Sequence, residues 1–182
     1  MNFCNLCGAT VSQQTPSGDS RLRDICTACG TIHYENPKLI IGSIPETKDG
    51  RILLCRRAIE PRLGLWTLPA GFMENGETTS EAAARETQEE ANARIEVGEL
   101  FALINIPYIN QVHFFYRAHL PNEQYSAGEE SLEVALFSEE TIPWKELAFR
   151  SITYCLRAYF KDRANGNYSL HCTDFLAPPT AT

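Results

Sequence analysis

A loop followed by a carboxylate-rich helix, at residues 71–93, is the feature that most restricts how this chain can fold. The segment reads GFMENGETTSEAAARETQEEANA. Thr78 with Glu81 three residues later predicts a capping box, so we expect the helix to begin there. Residues that favour helices continue to Ala91, and Asn92 can adopt the left-handed conformation that ends a helix. The sequence therefore predicts a loop that leads directly into a helix ending near Asn92.

Three glutamates of this helix are spaced to share one face. Glu86, Glu89 and Glu90 stand at positions i, i+3 and i+4. Like charges this close resist ionisation, but a hard divalent cation such as Mg²⁺ stabilises them and still accepts phosphate oxygens. The small side chains of Ala84, Thr87 and Ala91 fall on the other side of the helix, where they would let it pack closely on a sheet.

The spacing of the charged residues and glycine in this segment resembles the signature of the Nudix hydrolases. The residues that match are Gly71, Glu77, Arg85, Glu86, Glu89 and Glu90. A solvated acidic helix face would explain the glutamates, but it would not explain the glycine and arginine at fixed offsets. Thr87, Asn92 and Ala93 depart from the general signature. None of them replaces an acidic residue, so they affect the helix end more than the predicted metal site.

The resemblance implies a phosphoanhydride hydrolase that uses Mg²⁺ or Mn²⁺. Glu86, Glu89 and Glu90 are then the expected metal ligands, and one glutamate accepts a proton from the attacking water. The carbonyl of Ala70, just before the signature glycine, is a further expected ligand. Arg85 is expected to orient the loop by pairing with Glu77.

A downstream acidic loop supplies one more expected catalytic carboxylate. Glu130 is the preferred candidate, because it comes just before a predicted strand that begins at Leu132. Glu129 and Glu133 are the alternatives, and a solvated loop charge is the simpler interpretation of all three.

Two CxxC pairs near the beginning of the sequence predict a zinc ribbon over residues 1–34. The pairs are Cys4 with Cys7 and Cys26 with Cys29, and each pair is followed by glycine. Four thiolates fill a tetrahedral zinc site and leave no open position, so we expect a structural metal. The polar segment between the pairs cannot build its own core, and zinc would supply the folding energy. Two disulfides are the alternative.

Residues 35–182 are predicted to form the Nudix domain. The resemblance implies an α/β (α+β) fold, with a mixed β-sheet between helices. Strands are expected at 38–45, 51–57, 95–106, 111–120, 132–138 and 167–176, with a second helix at about 147–163 and a loose tail at 177–182.

Candidate substrate contacts are aromatic and basic residues near the acidic helix. Trp66 and Phe72 could stack on a base, and Arg57 could reach phosphates. Packing in the core is the simpler interpretation for both aromatic residues, and a solvent-exposed strand edge for the arginine. His113 and His119 share a strand face, where a structural role is the default interpretation.

Composition limits the partners of the chain. A formal charge of −7 repels polyanions, so nucleic-acid binding through phosphate neutralisation is disfavoured. The first residues, MNFCNLCGAT, do not resemble a signal segment, and no apolar run is long enough to span a membrane. We therefore expect a cytoplasmic protein with reduced thiols that acts on a small nucleotide. The resemblance also allows a homodimer.

Further motifs resemble one branch of the Nudix hydrolases, the plant chloroplast enzymes that cleave FAD and ADP-ribose. These motifs are CNLCG, CTACG, YENPK, LLCRR, GLWTLPAGF, RETQEEANA and GEESLE. The ribbon also resembles the NADH pyrophosphatase branch, but residues 105–111 lack the SQPWPFP-type motif of that branch. The resemblance implies cleavage of FAD or ADP-ribose to AMP and the other phosphate half. Hydrolysis of NADH or NAD-capped RNA, and nucleotide sensing without catalysis, are the alternatives.

Overall fold

A computed structural model describes residues 1–178 of the chain. It forms two compact units, Met1–Pro37 and a second unit that begins at Lys38. The part of the predicted tail from Pro179 onward lies outside the described residues. Within residues 1–178, no helix has the length and apolar character needed to cross a membrane.

The first unit is a small antiparallel sheet that carries the two cysteine pairs. Its strands are β1 (Val11–Gln14), β2 (Arg23–Cys26) and β3 (Ile32–His33), in the order β1-β2-β3. Each cysteine pair ends in a tight turn, where Gly8 (φ 74°) and Gly30 (φ 72°) adopt the left-handed conformation that glycine tolerates best. The predicted zinc ribbon is therefore present at the N-terminal end of the chain.

The second unit is a mixed sheet with two helices. Its elements are β4 (Lys38–Thr47), β5 (Ile52–Arg57), β6 (Trp66–Thr67), β7 (Ala70–Phe72), α1 (Thr79–Ala91), β8 (Glu96–Ile106), β9 (Gln111–Leu120), β10 (Ser131–Phe137), α2 (Arg150–Asn165) and β11 (His171–Asp174). Short 3-10 turns span Pro107–Ile109 and Trp144–Glu146. The strand order is β10-β5-β4-β9-β8-β11, with β6 paired to β5 and β7 paired to β4. The β4–β9 and β8–β11 pairs are parallel, and the remaining pairs are antiparallel.

Alternation along the strands places the helices on opposite faces of the sheet. On β9, Phe114 packs with the buried alanines of α1, whereas Phe115 packs in the core cluster that contains Leu156 and Tyr159 of α2. The α2 side holds the larger core. The predicted arrangement of a mixed sheet between helices is confirmed.

The ends of α1 follow the sequence prediction. Thr78 and Glu81 form a reciprocal capping box, and Asn92 ends the helix in the left-handed conformation at φ 47°. Thr87 and Ala91 are buried against the sheet as expected. Thr87 occupies a position at which the general signature has an aliphatic residue. Its hydroxyl forms a hydrogen bond of 2.7 Å with the buried hydroxyl of Ser43. This hydrogen bond explains how a polar residue is accommodated there.

Candidate active site

The acidic face of α1 is divided between buried and exposed carboxylates. Glu86 and Glu90 are each only 7% exposed, whereas Glu89 is exposed. Glu86 and Glu90 therefore border the face of α1 that packs on the sheet. The helical spacing predicted that the small residues of α1 lie on the side opposite to all three glutamates. That prediction is wrong for Glu86 and Glu90.

Burial changes the electrostatics of the two inner carboxyls. Burial, with the neighbouring charge of Glu86 as the next cause, raises the pKa of Glu90 to about 8. Burial also raises the pKa of Glu86, although its hydrogen bond with Arg85 opposes that shift. Two buried acidic groups beside a cavity are costly to ionise without a cation. Their oxygen donors fit a hard divalent cation such as Mg²⁺.

Arg85 connects the loop to the acidic helix. Its Nε and Nη2 donate to the two carboxylate oxygens of Glu77 at 2.9 and 2.7 Å, so the predicted pairing is present. Nη2 also donates to the Phe72 carbonyl at 3.0 Å, and Nη1 donates to Glu86 at 2.7 Å and to Glu89 at 2.9 Å. The guanidinium thus holds the loop and offsets part of the negative charge on α1.

Strand β7 reaches the site through two small residues. The backbone N–H of Ala70 lies 3.4 Å from Oε2 of Glu90. A Cβ added at Gly71 would overlap the Glu86 carboxylate, so glycine leaves room for this carboxylate in its present position. The backbone of β7 therefore borders the two buried carboxylates.

The loop before β10 is fixed to the C-terminal end of α1. The N–H groups of Ser126 and Gly128 donate to the carbonyls of Ala91 and Glu90, at 2.9 and 3.0 Å. These carbonyls have no partner within the helix, so the loop completes their hydrogen bonding. The Asn92 side chain strengthens the connection by donating to the Ser126 hydroxyl and the Ala127 carbonyl, each at 3.1 Å.

This attachment decides where the three candidate loop glutamates lie. Glu129 and Glu130 line the same cavity as Glu86 and Glu90. The charge of Glu130 contributes to the raised pKa of Glu90. Glu133 instead lies 3.5 Å from Arg56 in a surface ion pair.

The carboxylates open into a cavity of about 930 Å³. Ala70, Arg57 and Phe72 line it, and the Phe72 side chain is 50% exposed. Trp66 is buried in the core, where its ring lies 4.9 Å from that of Phe137, and it is not among the described residues that line the cavity. Its placement favours the core interpretation over a substrate contact.

Several residues that line the cavity were not predicted as site residues. These are Gln111, His113, Phe149, Arg150 and Phe175. They come from β9 and from the segments around α2 and β11. Gln111 and His113 reach the cavity through the parallel pairing of β4 with β9, which no local pattern in the sequence indicates.

The four cysteines of the ribbon form a second, separate site. The sulfur of Cys7 lies 3.4 Å from that of Cys26 and 3.5 Å from that of Cys29, and the Cys4 and Cys29 sulfurs are 3.8 Å apart. These distances exceed a disulfide bond, and all four residues are free thiols. All four sulfurs lie within 4.8 Å of one another. This donor set fits a tetrahedral structural zinc ion.

Comparisons with known proteins match both units of the chain. The NUDIX domain model matches residues 37–157, and the Nudix N-terminal model matches residues 2–35. The chain therefore belongs to the Nudix hydrolase family. A crystal structure of a Nudix hydrolase from Nitrosomonas europaea is 50% identical with a TM-score of 0.94, covering 97% of this chain and 100% of that one.

Two curated relatives carry more specific names. An ADP-ribose pyrophosphatase of Methanocaldococcus jannaschii is 31% identical over 120 residues, which are 64% of this chain and 69% of the relative. An NAD-capped RNA hydrolase, NudC, of Stutzerimonas stutzeri is 28% identical over 70% of this chain. The match covers only 42% of the length of that second relative.

Proposed function

We propose that this protein is a Mg²⁺- or Mn²⁺-dependent pyrophosphatase that hydrolyses an ADP-containing substrate, ADP-ribose or FAD. The products are AMP and the other phosphate half. The observation that carries the proposal is the pair Glu86 and Glu90, which is buried beside a cavity large enough for a nucleotide. Two buried neighbouring carboxyls need a cation in order to be ionised together, and a cation next to such a cavity suits a diphosphate.

The residues have distinct roles in the proposed reaction. Glu86, Glu89, Glu90 and the Ala70 carbonyl would hold the metal, which when bound neutralises the diphosphate oxygens. Glu130 accepts the proton of the water that attacks phosphorus as the anhydride bond breaks. Arg57 attracts the phosphates. Arg85 positions the loop and the acidic helix, and Phe72 contacts the base.

The choice of substrate has separate support. The Methanocaldococcus jannaschii relative, which is named an ADP-ribose pyrophosphatase, favours ADP-ribose as the substrate. The choice of FAD as a substrate rests on the sequence motifs that resemble those of the plant chloroplast enzymes. Several aromatic residues line the cavity, including Phe72, Tyr108 and Phe149, and they suit a substrate with a planar base.

Hydrolysis of NAD-capped RNA or NADH is the second candidate. The relatives named NAD-capped RNA hydrolases favour it, and the same pyrophosphate chemistry would serve. The formal charge of −7 counts against binding the RNA polyanion. The absence of the SQPWPFP-type motif at residues 105–111 also counts against it.

A product assay tests the proposal. Purified protein is incubated with ADP-ribose, FAD, NADH and NAD-capped RNA, with Mg²⁺ and with chelator, and AMP release is followed by chromatography. We expect AMP from ADP-ribose or FAD, and its loss with chelator and in Glu90→Gln. Glu99→Gln removes an exposed carboxylate of β8 and should keep full activity.

Three outcomes would contradict parts of the proposal. Binding of ADP-ribose without AMP release would favour nucleotide sensing, and activity on NAD-capped RNA alone would favour the second candidate. Normal turnover and unchanged Mg²⁺ dependence in Glu130→Gln would remove Glu130 from the reaction. A cytoplasmic location and a homodimer also belong to this proposal. The free thiols support the first, and light scattering tests the second.

A further inference from the structure

His113 is a buried polar residue in the wall of the cavity that the proposed reaction does not use. It is only 9% exposed and lies on β9. Its Nε2 lies 2.9 Å from Oε1 of Gln111, which also lines the cavity. Its Nδ1 is buried and has no hydrogen-bond partner among residues 1–178. A buried polar atom without a partner is costly, so this nitrogen needs an explanation.

The hydrogen bond with Gln111 sets which nitrogen of the ring carries the proton. An amide oxygen only accepts, so Nε2 donates to it and Nδ1 keeps its lone pair. Burial lowers the pKa of His113 to about 4, and the ring is therefore neutral at neutral pH. Nδ1 then offers one acceptor and no donor. His113 lines the cavity, but Nδ1 itself is covered in this structure, so the ring must turn towards the cavity before a ligand can reach this nitrogen.

The register of the sheet places His113 in a row with two other residues that line the cavity. Phe72 of β7 pairs with Ile40 of β4, and Ile40 pairs with His113 of β9. Neighbouring strands are about 4.8 Å apart, so Phe72 and His113 flank Ile40 at about 10 Å from each other. The row therefore combines an aromatic side chain, an apolar floor and a hydrogen-bond acceptor.

The next row along the same strands connects this arrangement to the acidic residues. It lies two residues further along on the same face of the sheet and contains Ala70 of β7, Gly42 of β4 and Phe115 of β9. Because Ala70 borders Glu90, a substrate with its diphosphate at the carboxylates can extend its nucleoside along the row of Phe72, Ile40 and His113.

We propose that this row is an adenine-binding site in which His113 Nδ1 accepts a hydrogen bond from the exocyclic amine of adenine. This inference rests on the proposed function. Adenine is the base that ADP-ribose, FAD and NAD share, so one acceptor serves all of these substrates. Hypoxanthine carries a carbonyl oxygen in place of the amine. This oxygen and His113 Nδ1 are both acceptors, so they would form no hydrogen bond. His113 is thus a specificity-determining residue.

The test compares two substrates that differ at this position of the base. ADP-ribose and inosine diphosphate ribose are hydrolysed by the wild type, His113→Leu and His119→Leu. We expect the wild type to prefer ADP-ribose by about tenfold or more in kcat/KM, since one hydrogen bond is at stake. His113→Leu should lose this preference through a fall on ADP-ribose alone. His119 is an exposed histidine of the same strand, and its variant should keep the preference.

A measurement on the wild type covers the case in which His113→Leu does not fold. The ¹⁵N resonance of His113 Nδ1 should shift when AMP is added, and it should stay unchanged with inosine monophosphate. Equal wild-type activity on both substrates, equal loss on both in His113→Leu, or no shift with AMP would overturn the inference. Absence of hydrolysis of either substrate, with the AMP shift present, would instead refute the proposed function.

Discussion

At the residue scale, the ion pair between Glu77 and Arg85 holds the loop that precedes α1. Two hydrogen bonds from Arg85 and one from the N–H of Glu74 lower the pKa of Glu77 from 4.5 to about 2. A carboxyl whose pKa is depressed in the folded state stabilises the fold while it is ionised. The stability of the loop before α1 therefore depends on the ionisation of Glu77, and through it on pH.

Glu77→Gln should therefore destabilise the protein in a pH-dependent way. The contribution of Glu77 is fully present above about pH 5, and it is lost as pH falls from about 4.5 towards 2. We expect the difference in free energy of unfolding between wild type and variant to shrink over that range. Urea unfolding at several pH values measures it. Glu74→Gln, an exposed residue of the same loop, should show no such dependence.

A second prediction at this scale concerns the buried hydroxyl pair of Ser43 and Thr87. Thr87→Val leaves the Ser43 hydroxyl buried without its partner, and we expect it to lower the free energy of unfolding by about 1–3 kcal/mol. The double variant Ser43→Ala with Thr87→Val removes both polar groups and should recover part of that loss. Chemical denaturation of the three proteins checks this. A double variant less stable than Thr87→Val alone would contradict it.

At the element scale, the site depends on how the end of α1 holds the loop before β10. Asn92 was recognisable in the sequence as a helix end, because asparagine tolerates positive φ. Its second role, donating to Ser126 and Ala127, joins residues far apart in the sequence and left no local signal. The same reasoning applies to His113. Its strand was predicted, but its place in the cavity follows from the pairing of β4 with β9.

Variants of Asn92 separate the backbone conformation from the side-chain contacts. Asn92→Gly keeps the left-handed conformation and loses the amide, whereas Asn92→Ala loses both. We expect both variants to lower kcat/KM several-fold, because the loop that carries Glu130 loses the side-chain part of its attachment to α1. We expect Asn92→Ala to be the less stable of the two. Kinetics and thermal unfolding measure the two effects. Wild-type kinetics in Asn92→Gly would show that only the backbone conformation matters.

At the scale of the whole molecule, two units with different sources of stability share one chain. The unit from Lys38 onward has a large apolar core on the α2 side of its sheet. The unit Met1–Pro37 has short strands, and exposed apolar residues such as Phe3, Leu6 and Leu22. Both units were predictable from the sequence, because cysteine spacing and strand patterns are local. The part of the cavity wall that contains His113 and Phe175 was not, because it depends on distant strands.

Removal of metal should affect the first unit selectively. We expect one zinc ion per chain, and its loss in Cys26→Ser should unfold Met1–Pro37, since metal binding supplies the folding energy of such ribbons. Metal analysis and hydrogen exchange over residues 1–37 measure this. Cys172→Ser changes an exposed cysteine outside the cluster. This variant should retain both the zinc ion and the protection of residues 1–37 from hydrogen exchange. A folded ribbon without zinc would contradict the prediction.

The row formed by Phe72, Ile40 and His113 also has a consequence for folding. Its members come from three strands that are distant along the chain, and a parallel pair such as β4–β9 needs a long connection to close. Long-range pairings of this kind form slowly, so a partly folded chain would have the acidic helix but not the completed row of Phe72, Ile40 and His113. A nucleotide that needs both parts recognises only the completed fold, and it stabilises that fold by mass action.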